Sequence, residues 1–181
     1  MILQTERLVL RRMEQSDFES LCAILQDPAV MYAYEGAFTD EEVQEWLDRQ
    51  LARYAQWEFG LWAMVLRQTG EMIGQCGLTM QPWKQQQVLE IGYLLRHSAW
   101  HHGYATEAAQ ACKRYAFDKL HTDEVCSIIR DTNTASQRVA QRVGMTAQDH
   151  WTKHYRGVDM PHTRYVVTKE QNAMHKKGGA L

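Results

Sequence analysis

The stretch that decides how this chain is read runs Leu89-Glu-Ile-Gly-Tyr-Leu-Leu95, then Arg96-His-Ser-Ala-Trp-His-His-Gly-Tyr-Ala-Thr-Glu-Ala108. Its first half reads as a strand, and its second half opens at Gly103 into the small and apolar residues of a helix. Glycine leaves the tightest point of that junction without a bulky side chain. Backbone amides at the start of a helix have no partner within it, and with the positive end of the helix dipole they suit a pyrophosphate. An ordinary strand-to-helix turn would use the same glycine for geometry alone, so the local pattern by itself leaves both readings open.

Working outward, residues 2–12 read as one strand around Leu8 and Leu10. Ser16-Asp-Phe-Glu19 has the form of a capping box for a helix to about Gln26, which Pro28 stops. A second box, Thr39-Asp-Glu-Glu42, opens a longer helix with Val43, Trp46, Leu47, Leu51 and Tyr54 at helical spacing. Three strand-like runs follow at 60–67, 72–81 and 88–96, the first two joined through Gly70. Beyond the deciding stretch, a helix at 103–120, a strand at 124–130, a helix at 133–143 closed by Gly144 and two strands within 145–169 complete the order βααβββαβαββ. That order is an α/β chain with a mixed sheet and helices packed on it. The reading is one domain over 1–170 with a flexible tail at 171–181.

Composition narrows the function. The chain has 181 residues, 45% of them hydrophobic, which is enough to fill one core, and a formal net charge of -2. Nucleic acid and anionic membrane surfaces call for a basic excess that is missing, so neither is expected as a partner. No apolar run approaches the roughly 20 residues that cross a bilayer, and the N-terminus lacks the apolar core of a secretory signal, so a cytoplasmic location is expected. Cys22, Cys76, Cys112 and Cys126 show no paired spacing and read as small buried hydrophobes. His97, His101 and His102 share a loop with no carboxylate or thiolate at ligand spacing; His150 and His154 with His162 could in principle collect zinc, but surface or substrate-facing histidines are the plainer reading, and no metal is expected.

Trp100-His-His-Gly-Tyr-Ala-Thr-Glu-Ala108 resembles the acetyl-CoA loop of the GCN5-related N-acetyltransferases (GNAT). Asn133-Thr-Ala-Ser136 with Val139-Ala-Gln-Arg-Val-Gly-Met145 resembles the next motif of that family, and Thr5-Glu-Arg-Leu-Val-Leu-Arg11 resembles the opening of its ribosomal-protein N-terminal acetyltransferase branch. Three motifs in register make the resemblance specific. It implies a mostly antiparallel central sheet, splayed at the acetyl-CoA site, with helices on both faces. It implies acetyl-CoA as co-substrate, held by Trp100, His101, His102, Gly103, Tyr104, Ala105 and Thr106 at the pyrophosphate. Backbone groups of Tyr93, Leu94 and Leu95 would bind pantetheine in the manner of an added strand, and Asn133 would hydrogen-bond it while capping its helix. The family also admits a homodimer.

The same resemblance places the base that deprotonates the amine at Glu90, whose strand parity sets it among apolar neighbours. An exposed or salt-bridged carboxylate is the plain alternative. The sequence departs from the pattern at Trp100, where the family usually has Gln or Arg, and at Ala140, where it often has the tyrosine that protonates the departing thiolate. Ser136 and Tyr155 are the candidates for that acid, Ser136 first. The expected reaction is direct acetyl transfer to a primary amine, with no nucleophilic Cys or Ser triad in view. The acceptor is an N-terminal α-amine of a protein or peptide, or else a small amine such as a polyamine, amino acid or antibiotic, which would call for an acidic pocket from Glu35, Asp40, Glu41 and Glu42. Trp57, Trp62 and Trp83 are candidates to line it. A silent CoA-binding protein and a dinucleotide-binding domain are the rival classes, the second lacking any G-x-G-x-x-G after the first strand.

Overall fold

The computed structural model describes residues 1–178, with side chains through residue 174. Two short N-terminal strands, β1 (Leu3–Gln4) and β2 (Leu8–Arg11), pair with each other in place of the single strand expected over 2–12. The chain reverses at Thr5, whose amide donates to the Leu8 carbonyl and whose hydroxyl accepts from the Leu8 amide. Helix α1 (Phe18–Leu25) is preceded by a 3-10 turn, and the box is shifted from the expected pair: Asp17, not Glu19, reaches back to the Glu14 amide at 2.9 Å. Asp17 is committed there because Arg11 holds both of its oxygens at 2.7 Å. Pro28 begins a helix as well as ending one, standing first in α2 (Pro28–Met31) where its missing N–H costs nothing, with Asp27 as cap. Helix α3 (Asp40–Trp57) carries the expected Thr39–Glu42 box.

Strands β3 (Leu61–Leu66), β4 (Met72–Trp83) and β5 (Gln86–Leu95) form the central meander. Then come α4 (Tyr104–Asp118), β6 (Glu124–Arg130), α5 (Thr134–Arg142), β7 (Thr146–Tyr155) and β8 (Val158–Thr168). The eight strands form one sheet in the order β1-β2-β3-β4-β5-β6-β8-β7, antiparallel except at β5–β6. Helices cover both faces. Gln75 accepts a hydrogen bond from Trp46 of α3, whereas the next residue, Cys76, lies 3.6 Å by sulfur from Cys112 of α4, and successive side chains on a strand point to opposite faces.

The expected tail starts as structure: α6 (Lys169–Gly178) follows β8 directly, capped by reciprocal Thr168–Gln171 hydrogen bonds. Residues 179–181 of that expectation lie outside the described residues. One apolar core runs from Leu8 to Val167, and a small second cluster gathers Trp83, Val88, Cys126 and Val166. No described helix is long and apolar enough to cross a membrane.

The feature that positions everything below is the gap between β5 and β6. Their ladder has a single rung, Glu90 opposite Cys126, after which the strands part. The Ser127 hydroxyl donates to the Ile91 carbonyl at 2.8 Å, so the odd-numbered backbone groups of β5 face β6 and the gap, and the even-numbered ones face β4.

Candidate active site

A cleft of about 530 Å³ enters the molecule at this gap. It is bordered by Tyr93 and Leu94 of β5, Asn133 and Ser136 at the start of α5, Tyr34 of the 3-10 turn after α2, Trp46, Arg49 and Arg53 of α3, and Lys153, Tyr155 and His162 of the β7–β8 hairpin.

Glu90 lines this cleft. One carboxylate oxygen accepts from the Ile128 amide at 3.2 Å and the other from the Thr79 hydroxyl at 3.3 Å. Burial raises its pKa above the ordinary glutamate value, against the pull of Lys153, the Ile128 amide, Thr79 and Arg53. Such a carboxylate accepts a proton more readily than a solvated one.

Of the three residues expected to offer backbone groups, only Tyr93 faces the gap with both of them free to act. Leu94 is turned toward β4, where it pairs with Gln75, and contributes its side chain to the cleft. The Leu95 side chain is buried in the core, and its carbonyl accepts from the Trp100 indole at 3.0 Å. Tyr93 adds something not expected of it: its side chain also borders the cleft, the hydroxyl donating to the Ser136 carbonyl at 2.8 Å. Burial keeps that phenol protonated, and likewise drives Tyr34 across the cleft up to about 12.

The loop at 96–103 is ordered from below. Trp100 packs beside the core with its indole N–H committed to the Leu95 carbonyl. His101 and His102 are exposed, His102 stacked on Tyr104 at 5.6 Å. Gly103 caps α4 at φ +82°, a conformation that favours glycine. Among the described residues, the amides of 101–106 donate to no backbone carbonyl, which leaves Tyr104, Ala105 and Thr106 as a helix start with free donors.

A second arrangement fixes this helix start in space. Glu107 accepts from the Thr5 hydroxyl at 2.6 Å, the Arg7 amide at 2.9 Å and the Arg7 guanidinium at 2.7 Å, while Arg7 also donates to the His102 carbonyl at 2.9 Å. The Thr5-Glu-Arg7 and Thr106-Glu107 pieces of two separate motifs are thus halves of one clamp. Sequence reading saw both motifs and missed that they meet.

Asn133 caps α5, its side-chain oxygen accepting from the Ser136 amide at 3.1 Å and from Tyr32 of the facing segment at 2.9 Å. Ser136 stands in the first turn of α5 at the cleft wall, and Ala140, one turn on, is buried without a hydroxyl. Tyr155 lines the far rim at 39% exposure.

Several expectations about the acceptor side are corrected. Trp62 and Trp83 are wholly buried in the two cores and Trp57 is exposed on the end of α3, so Trp46 is the tryptophan that lines the cleft. The acidic set does not face inward either: Glu35 pairs with Arg130, and Glu42 pairs with Arg156 of the hairpin turn, strapping the hairpin to α3. The walls are basic. Arg49, Arg53 and Lys153 line the cleft without a carboxylate within 4 Å among the described residues. The only signal in sequence for the two arginines was their spacing with Trp46 and Gln50, which sets 46, 49, 50 and 53 along one side of α3. His150, His154 and His162 point to Thr163, Asp159 and the Met160 carbonyl, and no group of three metal-ligating side chains occurs among the described residues.

Residues 7–146 match the acetyltransferase (GNAT) domain family. A curated relative from Bacillus subtilis strain 168, the uncharacterized protein YkkB, is 36% identical over 160 residues, covering 88% of this chain and 91% of its own. Among solved structures, a GNAT-family acetyltransferase from Bacillus anthracis superposes with a TM-score of 0.80 at 23% identity, over 94% of this chain and 99% of its own. A spermidine N-acetyltransferase from Vibrio cholerae, in complex with CoA and spermine, shares the fold with a TM-score of 0.74 at 14% identity, over 93% of this chain and 99% of its own.

Proposed function

The chain belongs to the GNAT acetyltransferase family and is an acetyl-CoA-dependent acetyltransferase, and from that premise we propose that it acetylates a primary amine by direct attack within a ternary complex, with Glu90 as the base. The observation that carries this reading is the place of Glu90: a half-buried carboxylate on the last rung before the strands part, facing the same cleft as the free backbone of Tyr93.

Acetyl-CoA is proposed to lie with its pyrophosphate on the amides of 101–106 and its pantetheine along the gap, beside Tyr93, Leu94 and Asn133. The amine enters between α2–α3 and the hairpin. Glu90 takes a proton from the ammonium, directly or through water, and the freed lone pair attacks the thioester carbon. The Tyr93 amide faces the oxygen that becomes negative as the tetrahedral adduct forms. When the carbon–sulfur bond breaks, the nitrogen's second proton passes to solvent, and the thiolate gains a proton relayed through the Ser136 hydroxyl, which takes one from solvent in the same step. Ser136 stands where the α5 dipole also favours a developing thiolate. The N-terminal amine of a peptide or protein remains the first acceptor, a small amine the second.

Thiol release from acetyl-CoA in the presence of a panel of amines and N-terminal peptides tests the whole reading. Glu90→Gln keeps the shape but cannot take a proton, and turnover is expected to fall about 10²-fold. A variant whose rate and acid limb match the parent would remove Glu90 from the mechanism. Ser136→Ala is expected to cost about tenfold, because a thiolate leaves readily even unaided; a loss confined to Tyr155→Phe would reassign the acid to Tyr155.

A further inference from the structure

The acceptor end of the cleft is the part of the molecule whose charge has no explanation in acetyl transfer itself. Cross-strand neighbours on one face of an antiparallel pair point the same way, so Gln75 with Leu94 and Thr79 with Glu90 mark two levels of the α3-covered face. Helix α3 runs along them. Trp46 meets Gln75 at the Leu94 level, and further on Gln50 and Tyr54 bond to Leu61, which pairs with Gly77 on the way to Thr79. Arg49 and Arg53 are therefore carried from the Leu94 level toward Glu90, while the phosphate loop lies beyond Leu95 in the opposite direction, with four residues of β5, about 13 Å, between Glu90 and Leu94 alone.

Two cations, Arg53 and Lys153, lie within electrostatic reach of Glu90, and Arg49 neighbours Arg53 on the same wall. Arg53 is half-buried and has one hydrogen bond, to the Gln50 amide oxygen at 3.2 Å. Arg49 rests on the Trp46 ring at 5.4 Å, and Lys153 reaches across from β7 over the rings of Trp83 and Trp151 at 6.0 and 5.9 Å. Among the described residues, Glu90 is the sole acidic one on the cleft wall. Arg49 is exposed, so Arg53 is the arginine drawn out of solvent; a partly desolvated guanidinium is costly unless something negative meets it, and its fork matches a carboxylate.

We propose that Arg53, assisted by Arg49 and Lys153, is a specificity subsite for a carboxylate carried by the acceptor, so that the substrate is an amine bearing a negative group within reach of its nitrogen, not a polyamine. The proposal rests on the acetyl-transfer reading and names its substrate class. The carboxylate has two sources, the free α-carboxylate of an amino-acid-like molecule or an acidic side chain at the start of a peptide. Either places the anion on the cations and the amine beside Glu90. A polyamine would bring further positive charge into the same walls and be repelled.

The experiment compares matched probes with acetyl-CoA in the full-length protein: 4-aminobutyrate against butylamine and spermidine for the small source, and Ser-Asp-Ala-amide against Ser-Ala-Ala-amide for the peptide source. The carboxylated member of at least one set should show kcat/KM at least tenfold higher, expressed mainly in KM. Arg53→Gln should shrink that preference about 10- to 100-fold, the range for losing a hydrogen bond to a charged group, and Arg53→Lys should restore part of it. Preference for butylamine or spermidine, or a preference untouched by Arg53→Gln, overturns the subsite. Calorimetry with N-acetyl-4-aminobutyrate against N-butylacetamide in the presence of CoA separates the two readings. If no amine is acetylated but the acid binds tighter and Arg53→Gln abolishes the difference, the reaction fails and the subsite stands; equal binding of the two ligands overturns the subsite.

Discussion

Glu90 is held between burial, which raises its pKa, and the Lys153 charge, the Ile128 amide, Thr79 and Arg53, which lower it, with burial prevailing. A carboxylate whose folded pKa lies above its unfolded one binds the proton more tightly when folded. The stability it contributes is full below the ordinary value of 4.5 and is lost as pH rises through the elevated folded pKa. Glu90→Gln should accordingly be slower yet more thermally stable than the parent at pH 7 to 8, with the gap in Tm closing as pH falls toward 4.5. Thermal melts of both proteins across that range check this, and a mutant less stable at pH 8 than the parent would show that Glu90 is a structural anchor. Sequence reading reached Glu90 through a resemblance. It did not reach Arg53, since an arginine on a helix ordinarily means a solvated face, and only packing shows which way the helix is turned.

At the scale of elements, the start of α4 depends on strands more than ninety residues earlier. Burial pushes Glu107 up, but the Thr5 hydroxyl, the Arg7 amide and the Arg7 guanidinium outweigh it and leave its pKa lowered. The clamp thus contributes stability above the ordinary value of 4.5 that is lost as pH falls through the lower folded one. Glu107→Ala is expected to cost about 1–2 kcal/mol, discounted for the partly exposed arginine, and to weaken acetyl-CoA binding as the helix start loosens. Denaturant melts and calorimetry give the two numbers. A cleaner probe of the amides proposed to hold the pyrophosphate is Ala105→Pro, which deletes one N–H in the first turn, where the helix does not use it. Acetyl-CoA affinity should drop about tenfold with Tm nearly unchanged; unaltered affinity would take the pyrophosphate off this loop. Gly103→Val is a poorer probe, because at φ +82° a branched side chain strains the backbone whatever is bound.

For the whole molecule, the continuous core from Leu8 to Val167 ties both ends of the sheet together. The chain is expected to unfold in one transition, with calorimetric and van't Hoff enthalpies equal. Two separated transitions would show that the β6–β8 half, joined to β5 by one rung, folds as its own unit. The close approach at Gly77, where an added Cβ would stand 2.0 Å from the Gly60 carbonyl, makes the β3–β4 crossing a second fixed point: Gly77→Ala should destabilise by several kcal/mol or prevent folding, as a melt or its absence would report.

What this sequence determined by itself was local and periodic. The Thr39–Glu42 box, the Gly103 helix start, the Asn133 cap and the βααβββαβαββ order are set by residues a few positions apart, and short-range hydrogen bonding and apolar spacing write them directly into the chain. Even the missed α6 was legible, since Thr168-Lys-Glu-Gln171 has the same box form as Thr39-Asp-Glu-Glu42. Where Asp17 displaced Glu19 as the reaching carboxylate, the cause was Arg11 on a different element. The same distinction governs the site. The parting of β5 from β6, the meeting of Thr5 and Arg7 with Glu107, and the basic face of α3 turned toward Glu90 join residues tens of positions apart. Only the tertiary structure decided them, because contacts at such separation are selected by how the helices and sheet pack, and no local spacing encodes which way a packed helix points its charges.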